Sequence, residues 1–415
     1  MWYFLPLLFT ALCGTAFAKD WPQWRGPDRT GHAPKEEAAL TTLPSEPKEI
    51  WRRPIGEGFA SPVVSAGRVV YLDDESGQEI VHAVDSRTGE EIWRAPLFSS
   101  HRDGFGIGPR CTPVIDGDRV FAQSAKGEFQ CLSVADGKRL WRTNFVDDFG
   151  AIYTGEKGKA AGASRHGASG SPLVDGHRVI VQVGSPKGAS IVAFEKSTGK
   201  VLWKSQNDQT AYAAPIIAEL AGVRQFISFT AEGLIALNPA TGELLWRVPL
   251  ETSLGRHVTT PVVCGDLVLV ASHQIGLVAI RVQAVGGKVE ATEAWRNKAL
   301  GINFSSPVVL GESLYGLGPQ KNFICVNARS GEVAWSQEGI IQSSADKAEA
   351  GFLVIGTNLL ALTDSGELVL FAGDASSFRE LGRLQVCGTN WCNPAYVDGL
   401  LYLRDHRELI CVGLR

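Results

Sequence analysis

The feature that most constrains this chain is a unit that recurs along nearly all of it. Each copy runs from a small residue and Ser/Thr-Pro-Val-Val, through a Gly turn and two strand-like runs, to Thr-Gly-Glu/Lys and a hydrophobic pair ending in Trp. Trp51, Trp93, Trp141, Trp203, Trp246, Trp295 and Trp335 hold the same place, and Gly382 stands in the eighth. Their spacings match the roughly 40 to 50 residues of a four-stranded propeller blade. Pro62, Pro113, Pro172, Pro215, Pro261, Pro307 and Pro394 give a second count, which agrees once a degenerate copy over Ala350 to Gly382 fills the double gap before Pro394. The sequence therefore predicts an all-β chain, an eight-bladed β-propeller of four-stranded antiparallel blades. Without the repeat, 415 residues would suggest two or three domains.

Each part of the unit has a physical reason. Thr88-Gly89, Asp136-Gly137, Thr198-Gly199, Thr241-Gly242 and Ser330-Gly331 put Gly where a tight hairpin needs positive φ. The Trp that follows is a large flat group suited to the wedge between blades, so its expected role is structural. Ring closure follows from the two ends. The last repeat, from Asn393-Pro394 to Val412, lacks its Trp strand, while Lys48 to Arg53 is a Trp strand with no blade before it. That N-terminal strand should complete the C-terminal blade and remove two exposed edges. The expected organisation is a leader at 1–18, an arm lying on the surface at 19–47, docked by Trp21 and Trp24, and the propeller at 48–415.

The first 18 residues carry no charge and end in Ala16-Phe17-Ala18, which reads as a secretory signal of a bacterial protein, although Lys or Arg near Met1 is missing. The run is too short and broken by Pro6 and Gly14 for a membrane span. Leu12 before Cys13 argues against a lipid anchor. A periplasmic or secreted, soluble monomer is expected. A net charge of −4 with no charged tail argues against nucleic acid as a partner. The cysteines sort by repeat position. Cys131, Cys325 and Cys411 stand where other copies have Ala, and Cys111 and Cys392 lie two residues before the repeat Pro, so they read as small buried fillers. A Cys387–Cys392 disulfide is chemically feasible, with free thiols favoured by the repeat position.

The Ala83-Val84-Asp85-Ser86-Arg87-Thr88-Gly89-Glu90-Glu91-Ile92-Trp93 form of the unit resembles the PQQ-like (pyrroloquinoline-quinone type) repeat, over about residues 48 to 412. The resemblance implies the propeller fold and two very different functions. One group is the quinoprotein dehydrogenases; the other is non-enzymatic periplasmic propellers similar to the lipoprotein of the outer-membrane β-barrel assembly machine. Trp21-Pro22-Gln23-Trp24-Arg25-Gly26-Pro27-Asp28-Arg29-Thr30-Gly31 and Asp147-Asp148-Phe149-Gly150 are similar to segments of secreted bacterial PQQ-like propellers. Fold is thus better indicated than function.

A quinoprotein needs a cofactor sandwich, Ca²⁺ held by oxygen ligands and a catalytic carboxylate. The adjacent cysteines on which the family's alcohol dehydrogenases stack their quinone are absent, as is a Cys-x-x-Cys-His haem motif. No metal site is expected, because the eight His show no ligand spacing. Gly155 to Ala160 lacks the placement of a phosphate loop, and Gly104-Phe105-Gly106-Ile107-Gly108 precedes a strand and reads as a flexible loop. The expected function is therefore a non-enzymatic scaffold that binds a protein, peptide or glycan through its loop face, with no cofactor. The alternative is a PQQ-dependent oxidoreductase with Ca²⁺, or a PQQ-binding relative.

Loops leading into the innermost strands should rim the central channel. Three residues before each Pro stand Phe59, Arg110, Ser169, Tyr212, Val258, Phe304 and Trp391, and four before it stand, among others, His257, Asn303 and Asn390. Phe59, Arg110, Tyr212, His257, Asn303, Phe304, Asn390 and Trp391 are thus candidates for a stacking and hydrogen-bonding site at the channel mouth, with packing between blades as the competing role. The longest interval, between Trp141 and Trp203, carries a Gly/Ala/Lys-rich insertion into the third blade that places Arg165 and His166 on the same face.

Overall fold

The computed structural model describes residues 20–153, 166–341 and 348–415. The leader at 1–18 with Cys13, and Arg165 of the long insertion, lie outside the described residues. Each repeat copy folds into one sheet of four antiparallel strands, and there are eight such sheets. Blade 1 comprises Val63–Ser65, Arg68–Glu75, Gln78–Asp85 and Glu91–Ser99, paired in chain order. Blades 2 to 7 repeat that order, including blade 7, where Ala350–Ile355, Asn358–Thr363, Glu367–Ala372 and Glu380–Gln385 form the degenerate copy. In blade 8, Ala395–Val397, Leu400–Arg404 and Glu408–Gly413 take their fourth strand from Lys48–Pro54, which brings Trp51 opposite Cys411. The N-terminal strand closes the ring. The α-helix among the described residues is one turn, Phe145–Phe149, capped by the Asn144 side chain. No helix among them is long and apolar enough to cross a membrane.

The register explains which residues the repeat tolerates. Across the third and fourth strands, Ala83 faces Trp93, Cys131 faces Trp141, Ala193 faces Trp203, Ala236 faces Trp246, Ala279 faces Trp295 and Cys325 faces Trp335. Close packing leaves space only for a short side chain opposite an indole, so Ala and Cys interchange there. Blade 7 reverses the pair, with Leu370 facing Gly382. The seven described cysteines are buried and free, Cys387 and Cys392 included. Burial pushes the thiols of Cys131, Cys392 and Cys411 up to about 12.

Five of the indoles also lean on a turn glycine of the next blade. A Cβ at Gly89, Gly137, Gly199, Gly242 or Gly331 would stand 2.5 to 2.7 Å from the ring of Trp51, Trp93, Trp141, Trp203 or Trp295. The turn glycine therefore serves twice, through its positive φ and through the space it leaves for the neighbouring indole. The ring N–H donates to a backbone carbonyl of that blade: Trp51 to Ser86 at 3.0 Å, Trp93 to Val134 at 2.9 Å, Trp141 to Lys196 at 3.0 Å and Trp295 to Ala328 at 3.1 Å. Trp246 differs. The hairpin of blade 5 extends to Gly286-Gly287 and offers no docking glycine, so this indole donates to Gln225 Oε1 of its own blade at 2.6 Å. Hydrophobic clusters accordingly span neighbouring blades, as where Val70, Val81 and Trp93 of blade 1 meet Ile115, Val120 and Leu132 of blade 2.

The arm has some residues buried against the blades and others exposed. Trp21 is 1% exposed and exchanges backbone hydrogen bonds of 2.8 Å with Val64 of blade 1. The Pro22 carbonyl accepts from Ile115 of blade 2, and Arg29 donates to Ser171 and Pro172 carbonyls leading into blade 3. Trp24 Nε1 donates to Thr260 Oγ1 before blade 5 at 2.9 Å, and Arg25 to the Pro307 carbonyl before blade 6. Gly31 and Ala33 bond Val354 of blade 7, and Glu37 accepts from Asp398 N of blade 8. Backbone groups flanking the innermost strands have one side without a sheet neighbour, and the arm supplies their partners.

Candidate functional site at the channel mouth

The innermost strands converge, and the loops leading into them deliver side chains to one cavity of about 140 Å³. All seven residues three before the repeat Pro line it: Phe59, Arg110, Ser169, Tyr212, Val258, Phe304 and Trp391. His166 from the long insertion lines it too. The rings touch one another. Trp391 lies 6.0 Å from Phe59 and 5.9 Å from Phe304, centroid to centroid. The Arg110 guanidinium sits over the Phe59 ring at 4.9 Å, and that of Arg256 over Phe304 at 5.5 Å, a cation–π arrangement.

The tier one residue earlier separates from this lining. His257 is fully buried, stacked on Phe229 at 4.0 Å, with Nδ1 at 2.6 Å from the Thr230 carbonyl. Burial holds its pKa at about 4 against the pull of that hydrogen bond. Asn390 is buried and donates to the Thr363 carbonyl at 2.9 Å. Asn303 lines a different cavity with His273, Gly318 and Lys321. In extended chain, successive side chains point to opposite sides, so when one position faces the axis its neighbour faces the adjoining blade.

Other lining residues come from segments outside the repeat. Between blades 1 and 2, Arg102–Asp103 and Gly106–Ile107 pair as a small hairpin with Phe105 at its tip. The Gly-rich stretch that reads as a flexible loop is thus a hairpin lid, and Phe105 packs at 5.5 Å from Trp391 and 4.9 Å from His166. Asp103 is the hub beneath it. It accepts from His166 Nδ1 at 2.7 Å and Phe105 N at 2.8 Å, and pairs with Arg110 Nη2 at 3.0 Å. Burial opposes ionisation, but His101, His166 and Arg110 outweigh it and hold this carboxyl well below the usual range. Trp24 of the arm forms the floor. The degenerate blade contributes Glu349, whose carboxyl burial, with Asp364 beside it, pushes well above the usual range. Residues that do not repeat leave no periodic signal, although the Gly spacing around Phe105 marks an unusual turn.

This geometry and repeat define the class as a PQQ-like β-propeller. The model of the family described as "Outer membrane protein assembly factor BamB" matches residues 77–337, and the chain belongs to that family. Among its relatives, the outer membrane protein assembly factor BamB of Burkholderia pseudomallei is 26% identical over 213 residues, 50% of this chain and 47% of that protein. The chain thus matches about half the length of this relative. In solved structures the same fold occurs in BamB from Moraxella catarrhalis, with TM-score 0.62, 15% identity and coverage of 89% and 98%. It also occurs in the quinohemoprotein alcohol dehydrogenase from Comamonas testosteroni, with TM-score 0.66, 14% identity and coverage of 95% and 80%.

The described residues at the mouth do not fit PQQ with Ca²⁺, which needs several oxygen ligands beside the quinone. Asp103 is committed to Arg110 and His166, and burial, with Asp364 beside it, pushes the Glu349 carboxyl well above its usual range and so disfavours the charged form that a calcium ligand needs. Among the described residues, carboxylates and His with metal-ligand spacing occur at Asp73, Glu75 and His82, which line a separate cavity with Arg53 and Arg94. There His82 bridges Asp73 and Glu91 at 3.0 Å each.

Proposed function

We propose that this protein is a non-enzymatic, exported propeller scaffold that engages a partner protein through the loop face, seating an apolar side chain of the partner in the channel mouth. The observation that carries the reading is the aromatic pocket at the mouth. It is lined by Phe59, Phe105, Phe304 and Trp391 and by Trp24 of the arm. Rigid aromatic side chains offer large contact area at small entropic cost, which suits an anchoring pocket for a partner. The assembly-factor relatives support a protein as the partner; a peptide or glycan would use the same stacking surface. Bound partner, rather than turnover, is the expected readout, and no cofactor is required.

Site-specific photocrosslinking tests this in the producing cell. A benzophenone side chain at Phe105 or Tyr212 should capture a discrete protein partner, and the same group at Ile92 on the outer rim should not. Capture equal at both places would refute the reading. Stoichiometric uptake of PQQ with Ca²⁺ by the purified protein, accompanied by dye-linked alcohol oxidation, would replace it with the oxidoreductase alternative.

A further inference from the structure

Two arginines of the arm are buried without an answering charge. Arg25 is 1% exposed and Arg29 3%. Their partners among the described residues are neutral: Arg25 Nη2 donates to the carbonyls of Pro307 at 2.5 Å and Thr30 at 3.2 Å, and Arg29 to those of Pro172 at 2.6 Å and Ser171 at 3.1 Å and to Gln23 Oε1 at 3.4 Å. Arg25 Nε, Arg25 Nη1 and Arg29 Nε are buried and have no acceptor. Burial pulls both guanidiniums down to about 9, and no carboxylate among the described residues opposes it. The other buried arginines differ. Arg110 is paired with Asp103, and Arg404 has Asp73 and Asp405 nearby. A guanidinium is the side chain least able to shed its proton, so an uncompensated buried pair calls for an anion.

The arm-side face provides the space. A cavity of about 860 Å³, distinct from the mouth, is lined by Arg29, Thr30, His32 and Lys35 of the arm, and by Gly265 and Gly311 at the innermost hairpins of blades 5 and 6. Asp28 and Glu36 also line it, and both are solvent-exposed. Burial first, and the Arg25 charge next, lower the pKa of His32, so the Arg25 charge is felt at the cavity wall.

We propose that this cavity binds a phosphate-type oxyanion, free or carried on a larger molecule, with Arg29, His32 and Lys35 on its wall and Arg25 supplying charge behind it. A charge-assisted hydrogen bond from guanidinium to such an oxygen is among the stronger polar contacts available to a protein. The site is separate from the partner pocket, so it stands or falls independently of that reading.

Titration calorimetry of the full chain with inorganic phosphate, and in parallel with glycerol 1-phosphate, tests it at constant ionic strength. Saturable binding of either probe is expected, and the pair shows whether the free ion or a phosphomonoester is preferred. Arg29→Met should weaken it roughly tenfold or more, the effect of losing one charged hydrogen bond. Because Arg29→Met could impair folding, a selenate soak of wild-type crystals gives a second readout, with anomalous density expected in the cavity lined by Arg29, His32 and Lys35. Absence of saturable binding, no change on Arg29→Met with an intact near-ultraviolet tryptophan spectrum, or selenate density only elsewhere would each overturn the proposal.

Discussion

The docking of indole on turn glycine makes a quantitative claim that two glycines of one blade can test. Gly137 has φ +71°, and a Cβ there would lie 2.6 Å from the Trp93 ring. Gly117, also in blade 2, has φ +59° with nothing within 4 Å of its would-be Cβ. Gly117→Ala should cost only the left-handed conformation, about 1 to 2 kcal/mol. Gly137→Ala bears that cost and must also displace the indole. The hydrogen bond from Trp93 Nε1 to the Val134 carbonyl, 2.9 Å long, contributes about 1 kcal/mol. Re-exposing roughly 50 Å² of ring adds about 1 kcal/mol more. The expected loss at Gly137 is therefore about 3 to 4 kcal/mol, read from urea unfolding followed by tryptophan fluorescence. In a Trp93→Leu background the excess at Gly137 should largely vanish, because the two residues act through one contact. Equal losses at Gly117 and Gly137, or an excess that persists without Trp93, would show that the glycine is needed for its backbone alone.

Three further outcomes are expected. Cys325→Leu should destabilise the chain by about 1 to 3 kcal/mol by overpacking against Trp335, while Cys325→Ala should be far milder, as thermal unfolding will show. Stability should depend on pH in two opposed ways. The His257 pKa is lowered from 6.5 to about 4, so its contribution of about 3 kcal/mol is present above 6.5 and lost as pH falls to 4. The Glu79 carboxyl, buried beneath the lid hairpin, is raised from 4.5 to about 7, so its contribution is present below 4.5 and lost as pH rises through 7. His257→Gln and Glu79→Gln should each flatten one limb of the stability profile and leave the other. Removing residues 20–47 should open the floor of the mouth and enhance quenching of Trp391 by iodide, with the ring still closed by Lys48–Pro54.

The repeat made the blade count, the closing strand and the inward-facing position readable, because each is stated seven or eight times in the same register. Phe59, Tyr212, Phe304 and Trp391 could be placed at the mouth for that reason. His257, Asn303 and Asn390 could not be sorted from them by spacing alone. The loops ahead of each strand are extended but not formally paired, and the side each residue faces is fixed only once neighbouring blades are in place. Asp103, Phe105 and Trp24 occur once each, so periodicity says nothing about them; a local hairpin and the path of the arm set their positions. Gly382 fills the Trp place for a reason visible only in three dimensions. Arm residue Leu43 lies 3.4 Å from where its Cβ would stand, over the strand that would otherwise carry the indole.

The pairing of Lys48–Pro54 with Glu408–Gly413 has a consequence for the order of events during folding. The strand made early must wait for one made more than 350 residues later, so blade 8 cannot form on a growing chain until its final strand has appeared. The arm waits longer still, since the carbonyls it caps belong to blades scattered around the ring and become neighbours only at closure. The first described segment of the chain is thus the last to find its place. A fully seated arm is therefore a mark that the ring behind it is complete.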